Sequence, residues 1–86
     1  MSAITIYTTP SCPYCIAAKA LLRGKGAAFE EVNIEGDRQT ALALMERTGR
    51  RTVPQIYIGD THVGGFDDLR ALDARGGLDP LLSGNA

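Results

Sequence analysis

The two cysteines of this chain stand three residues apart, in Cys12-Pro13-Tyr14-Cys15. Thiols at that spacing can share a metal, close a bridge or exchange disulfides, and their setting bears on which. Upstream, Ile4-Thr5-Ile6-Tyr7 alternates as a strand does; downstream lies a long Ala/Leu-rich run, so the pair sits at a strand-to-helix junction. Pro13, with fixed φ and no N–H to lose, suits the first helical position, which makes Cys12 the cap and puts Cys15 one turn on, both sulfurs on one side. The unpaired N–H groups of the first turn, those of Tyr14 and Cys15 among them, then point at the Cys12 sulfur, and the helix dipole adds positive potential there. An ordinary thiol of pKa about 8.5 is on the order of a few per cent ionised at neutral pH, whereas C-x-x-C cysteines at helix starts fall to roughly 3.5–7.5. Cys12 is the expected nucleophile. Cys15, turned inward, is expected to keep a higher pKa and act second, and Pro13 stiffens the turn so that the pair can close a disulfide.

Around that junction, 86 residues with no Pro/Ser-rich spacer predict one domain, 1–86, burying roughly 60–65% of its unfolded surface. Nine basic and ten acidic residues are well mixed, so no basic face points to nucleic acid or anionic lipid. Met1 to Thr9 lack a cationic start and a long apolar run; they read as a first strand, not a signal peptide, and no stretch approaches membrane-spanning length. The expected address is the cytoplasm, where a lone close cysteine pair is more often catalytic or metal-binding than a structural staple.

The elements follow in order. A strand over about Ala3–Thr8, with apolar or aromatic groups on both sides, belongs inside a sheet. A helix from Pro13 to about Lys25, ended by Gly24 or Gly26, is expected to turn Ile16, Ala17, Ala20 and Leu21 inward. Phe29–Ile34, interrupted by Glu30 and Glu31, suits a sheet edge and completes a right-handed βαβ unit. Asp37 can cap a helix to Thr48, with Ala41, Leu44, Met45 and Thr48 on one face and Gly49 as its stop. Gln55–Ile58 and Thr61–Gly64 around Gly59-Asp60 make a hairpin. A third helix after Gly64-Gly65-Phe66-Asp67-Asp68 turns Leu69 and Leu72 inward, and Asp79-Pro80 starts a last turn before a loose Ser83–Ala86 tail. The expectation is an α/β, thioredoxin-like fold: a four-stranded mixed sheet with helices on both faces and the cysteines at the carboxyl end of a central strand.

Three segments together, Cys12-Pro13-Tyr14-Cys15, Thr52-Val53-Pro54 and Gly64-Gly65-Phe66-Asp67-Asp68, resemble the glutaredoxin family at its three diagnostic places, in its order and near its spacing. The closing run Ala71–Leu82 is similar to the bacterial glutaredoxin 3 type within it. The resemblance implies a glutathione-dependent thiol–disulfide oxidoreductase with Cys12 and Cys15 catalytic, serving disulfide-containing or glutathionylated proteins. Glutathione would be its reductant, with glutathione reductase working behind it; no resident metal is expected, and nothing in the sequence predicts a stable oligomer, so a monomer is expected. It also implies a cis bond before Pro54, leaving the Val53 backbone free to pair with glutathione as a short extra strand. The helix start at Asp67-Asp68 would take the γ-glutamyl carboxylate on free N–H groups and its ammonium on carboxylates. Gly64 and Gly65 would let backbone approach closely, with Tyr14, Thr52 and Phe66 around the peptide. Many family members carry a lysine three residues before the first cysteine, where this chain has Thr9; Arg50 and Arg51 are the candidate replacements for its contact with the glycyl carboxylate.

Plainer readings stand beside these. The cysteines could form a structural bridge or half a zinc site, although zinc wants four ligands and the chain adds one histidine. Pro54 could simply start a strand, Asp67 and Asp68 could be only a cap and a first-turn charge, and His62 reads as an ordinary surface residue. Two functional alternatives remain. One is a module in which two copies hold a [2Fe–2S] cluster with Cys12 and glutathione, against which the stiff Pro13 argues. The other is a redoxin reduced by thioredoxin reductase.

Overall fold

A computed structural model describes residues 3–83. Its centre is β1 (Ile4–Thr8), which pairs parallel with β2 (Glu30–Asn33) and antiparallel with β3 (Gln55–Ile58); β4 (Thr61–Gly64) completes the hairpin, giving the order β2-β1-β3-β4. The register sets Ile6 opposite Ile56 and Tyr7 opposite Gln55. Mixed pairing follows from the connections: α1 (Pro13–Gly24) carries the chain back over the sheet so that β2 runs with β1, whereas Gly59-Asp60 reverses β3 into β4. β2, with its two glutamates, lies at an edge as its composition predicts.

Ile4, Ile6, Ile56 and Ile58 project from one face and pack with Ala18 and Leu22 of α1, Leu69 of α3 (Phe66–Ala74) and Leu78 of α4 (Leu78–Ser83). Each such aliphatic side chain taken from water contributes about 1.5–3 kcal/mol. The opposite face carries Tyr7 and Tyr57, edge to face at 6.2 Å, and α2 (Arg38–Thr48) reaches it by laying Arg47 over the Tyr57 ring at 4.4 Å. α2 is capped as read: Asp37 accepts the Thr40 N–H at 3.1 Å and its hydroxyl at 2.7 Å, bonds that hold the carboxyl below its ordinary range, and Gly49 ends the helix at φ 70°.

Three expectations are corrected. The inward stripe of α1 is Cys15, Ala18 and Leu22, not Ile16, Ala17, Ala20 and Leu21; Ile16 is 57% exposed and only Ala17 and Leu21 are half-buried. The cap sets the helix's rotation: with Cys12 as N-cap and Cys15 turned inward, positions three and seven further on must follow. Phe29 and Ile34 fall outside β2. Ser83 ends α4 and does not begin a tail, and the remainder of that stretch, 84–86, lies outside the described residues.

Candidate active site

Cys12 takes an extended conformation, φ −86° and ψ 114°, and its Sγ accepts the Cys15 N–H at 3.4 Å. This is an N-cap made by sulfur, with a backbone donor aimed at the atom that would carry negative charge. The Cys12 thiol in turn donates to the Val53 carbonyl at 3.6 Å, across 41 positions of sequence. Cys15 lies beneath it, fully buried. Burial pushes the Cys15 thiol from 9.0 up to about 11; a backbone hydrogen bond from Thr9 works against the rise, the adjacent Cys12 sulfur adds to it, and Lys19 opposes it from one turn along the helix. Both cysteines are free thiols. They are unequal, one reachable and one sheltered.

Beside them a cleft of about 310 Å³ is lined by Tyr14, Arg50, Thr52, Val53, Pro54, Gly65, Phe66, Asp67 and Asp68. Nine of the eleven flanking residues singled out in the sequence therefore share one cavity; Gly64 and Arg51 do not line it. The Val53–Pro54 bond is cis. Val53 precedes β3, so its backbone stands outside the sheet ladder on the cleft wall. Tyr14, 61% exposed, and Phe66 face one another at 6.5 Å between ring centres.

At the far end α3 begins, where the N–H groups of the first turn have no partner within the helix. The Asp68 Oδ2 accepts the Gly65 N–H at 2.9 Å and an Arg50 N–H at 2.5 Å, and Arg50 first, then that backbone bond, hold the carboxyl below the usual carboxylate range. Gly64, at φ +115°, gives the room: a Cβ there would run into the Asp68 carboxylate and the Arg50 guanidinium. Asp68 thus closes the corner of the cleft in an ion pair with Arg50, and Asp67 beside it is exposed.

Past Thr52 and Val53 the cleft continues into a groove of about 350 Å³, floored by Ile34, Ala41, Leu42 and Met45 and carrying Arg38 and Arg51. No carboxylate lines it. Arg38 was not singled out in the sequence, where it is merely the residue after a cap; the packing of α2 beside the Thr52 turn brings it to the groove.

A protein-family model for glutaredoxins matches residues 4–63 of the chain. The chain belongs to the glutaredoxin family. It is 56% identical over 82 residues to glutaredoxin 3 of Escherichia coli K12, covering 95% of this chain and 99% of that one. It is 53% identical over 83 residues to a glutaredoxin of Pseudomonas aeruginosa, covering 96% and 99%. Its fold superposes on a buckwheat glutaredoxin–glutathione complex with a TM-score of 0.91 at 29% identity, covering 98% of this chain and 79% of that one. A solution structure of glutaredoxin from Brucella melitensis gives 0.86 at 52%, covering 95% and 89%. The thioredoxin-like sheet and the oxidoreductase assignment stand on this footing. Before the motif, the Thr9 carbonyl accepts the Cys12 N–H at 3.4 Å. Among the described residues no helix is long and apolar enough to cross a membrane, and no three His, Cys, Asp or Glu side chains gather as a metal site.

Proposed function

We propose that this chain, working as a monomeric 1–86 domain in the cytoplasm, uses glutathione to reduce glutathionylated proteins and protein disulfides. The observation that carries the reading is the Cys12 thiol in contact with the Val53 carbonyl, so that the reacting sulfur adjoins an unpaired backbone edge on the cleft wall. A tripeptide laid along Val53 as an extra strand brings its own sulfur to Cys12. Its γ-glutamyl carboxylate meets the first-turn N–H groups of α3 and its ammonium meets Asp67. Its glycyl carboxylate turns toward Arg38 and Arg51, which take the place of the cation missing at Thr9.

On a glutathionylated protein, the Cys12 thiolate attacks the glutathione sulfur: a Cys12–glutathione bond forms and the protein leaves as a thiolate that takes up a proton. A second glutathione thiolate attacks the bound glutathione sulfur, releasing glutathione disulfide and the Cys12 thiolate. Glutathione reductase recycles the disulfide. On a protein disulfide, Cys12 forms the mixed disulfide and Cys15, losing its proton, attacks the Cys12 sulfur; the substrate leaves fully reduced, and two glutathiones reopen the Cys12–Cys15 bridge.

Two substitutions test this. Cys15→Ser keeps most deglutathionylation and loses protein-disulfide reduction, and Cys12→Ser loses both; equal residual activity in the two refutes the roles. Turnover with glutathione, glutathione reductase and NADPH, and none with thioredoxin reductase, is the expected electron source, and the reverse result refutes the glutathione reading.

A further inference from the structure

His62, which reads in the sequence as an ordinary surface residue, is half-buried, and its Nε2 lies 2.7 Å from the Oε1 of Gln55. Gln55 is fully buried at the start of β3. Its Nε2 donates to the Thr52 carbonyl at 2.9 Å and approaches the Thr52 hydroxyl at 3.4 Å. The donors and acceptors fix themselves in sequence. A backbone carbonyl only accepts, so Gln55 must turn its NH₂ to Thr52; its own carbonyl then faces His62, and the imidazole must carry its proton on Nε2. Every polar atom of the Gln55 amide is engaged, as burial demands. The His62 ring is braced against Tyr57 at 5.1 Å between centres.

We propose that His62 and Gln55 are positioning residues for substrate: a relay from β4 through a buried amide holds the Thr52 carbonyl from behind and so aims the Thr52–Val53 edge on which the tripeptide pairs. The inference rests on the function proposed above. Thr52 and Val53 stand outside the sheet ladder, so no neighbouring strand fixes their orientation, and an edge free to rotate would have to be ordered by each incoming substrate. The Cys12 thiol bonds to the residue next to Thr52, so the relay and the nucleophile meet adjacent carbonyls of one short turn.

The relay tolerates acid. Arg50 and Arg47 disfavour a charged His62, as does burial, the largest cause, while Asp68 favours it, and the net effect holds His62 below its ordinary value. Protonation would occur at Nδ1 and leave the Nε2–H bond to Gln55 in place, so this is a brace and not a pH switch.

The test is steady-state kinetics on a glutathione mixed disulfide of a small thiol, with glutathione, glutathione reductase and NADPH. In His62→Leu the Gln55 carbonyl loses its donor; KM for the mixed disulfide is expected to rise about five- to tenfold with kcat within twofold, the scale of one lost hydrogen bond. His62→Gln, whose amide can donate again, is expected to return KM to within twofold of the parent. Gln55→Leu, checked by thermal unfolding for a folded product, is expected to raise KM at least as far as His62→Leu. An unchanged KM in His62→Leu, a fall in kcat without a rise in KM, or a His62→Gln variant as impaired as His62→Leu overturns the relay; the last would assign the effect to ring packing on Tyr57. A parent protein that turns over normally beside unaffected variants removes the relay alone, whereas a parent without glutathione-dependent turnover removes the function on which it rests.

Discussion

Cys15, fully buried with its thiol pushed up to about 11, makes the dithiol route steeply dependent on pH. Four pH units below that value, at pH 7, about one molecule in 10⁴ carries the Cys15 thiolate, some 300-fold less than a free thiol of pKa about 8.5. Two effects offset the scarcity. Sulfurs held in place gain an effective molarity on the order of 10⁵ M or more, and a thiolate of higher pKa is intrinsically the better nucleophile, with Brønsted coefficient about 0.4–0.5. Once Cys12 is tied up in a mixed disulfide its own contribution to the rise is altered, but burial, the largest cause, remains. The rate of attack by Cys15 should therefore climb close to tenfold per pH unit from about pH 7 to 9. The assay loads Cys12 with a chromogenic aromatic thiol and follows its release by stopped flow as the Cys12–Cys15 bridge closes. Cys15→Ser should hold the label. A rate that levels off below about pH 8.5 in the parent protein would refute the argument, because it would mean a sulfur titrating as though it were in water.

The same thiol should shape stability. Its folded value lies above its unfolded one, so its contribution is complete below about pH 9 and is lost as pH rises toward 11, with a ceiling of about 3 kcal/mol at 1.36 kcal/mol per pH unit. Urea midpoints at pH 8 and 10.5 should diverge more for the parent than for Cys15→Ala. Asp68 acts with the opposite sign: its folded value is depressed by Arg50 and the Gly65 N–H, so its contribution is present above about pH 3.8 and disappears as pH falls through the lower folded value, a dependence that Asp68→Asn should flatten in acid unfolding curves. Gly64→Ala should cost stability and raise KM together, since its Cβ meets the Asp68 carboxylate at a φ that alanine disfavours; a variant with parental melting temperature and KM would count against the corner as drawn. Leu69→Ala, at the buried centre of α3, should cost about 2–5 kcal/mol and lower the melting temperature by roughly 10 °C or more without changing the reactivity of Cys12 toward iodoacetamide.

Local chemistry carried far in this chain. Pro13 after a capping cysteine, Asp37 with Thr40, Gly49 at a helix end and Gly59-Asp60 between two β runs each act within a few residues, and each was legible because its physics is short-ranged. The side of α1 that faces the core follows the cap and not the bulk of Ile16: the inward setting of Cys15 carries Ala18 and Leu22 inward with it. His62 and Arg38 are different. In the chain His62 is one polar residue in a hairpin and Arg38 one cation beginning a helix. Their importance comes from Gln55 being buried between β4 and the Thr52 turn, and from α2 lying beside that same turn.

The sequence alone therefore determined the order of elements, the thiol pair at the start of α1 and the family to which the chain belongs, since these rest on backbone propensities and on residue types at short spacing. Tertiary structure decided what those spacings cannot encode: that Asp68 meets Arg50 from 18 positions away, that the Cys12 thiol meets a carbonyl 41 positions away, and that a histidine on one strand braces the loop before another. Hydrogen bonds and ion pairs of that range depend on how twisted strands and packed helices bring remote atoms within 3 to 4 Å, and that is a property of the assembled sheet.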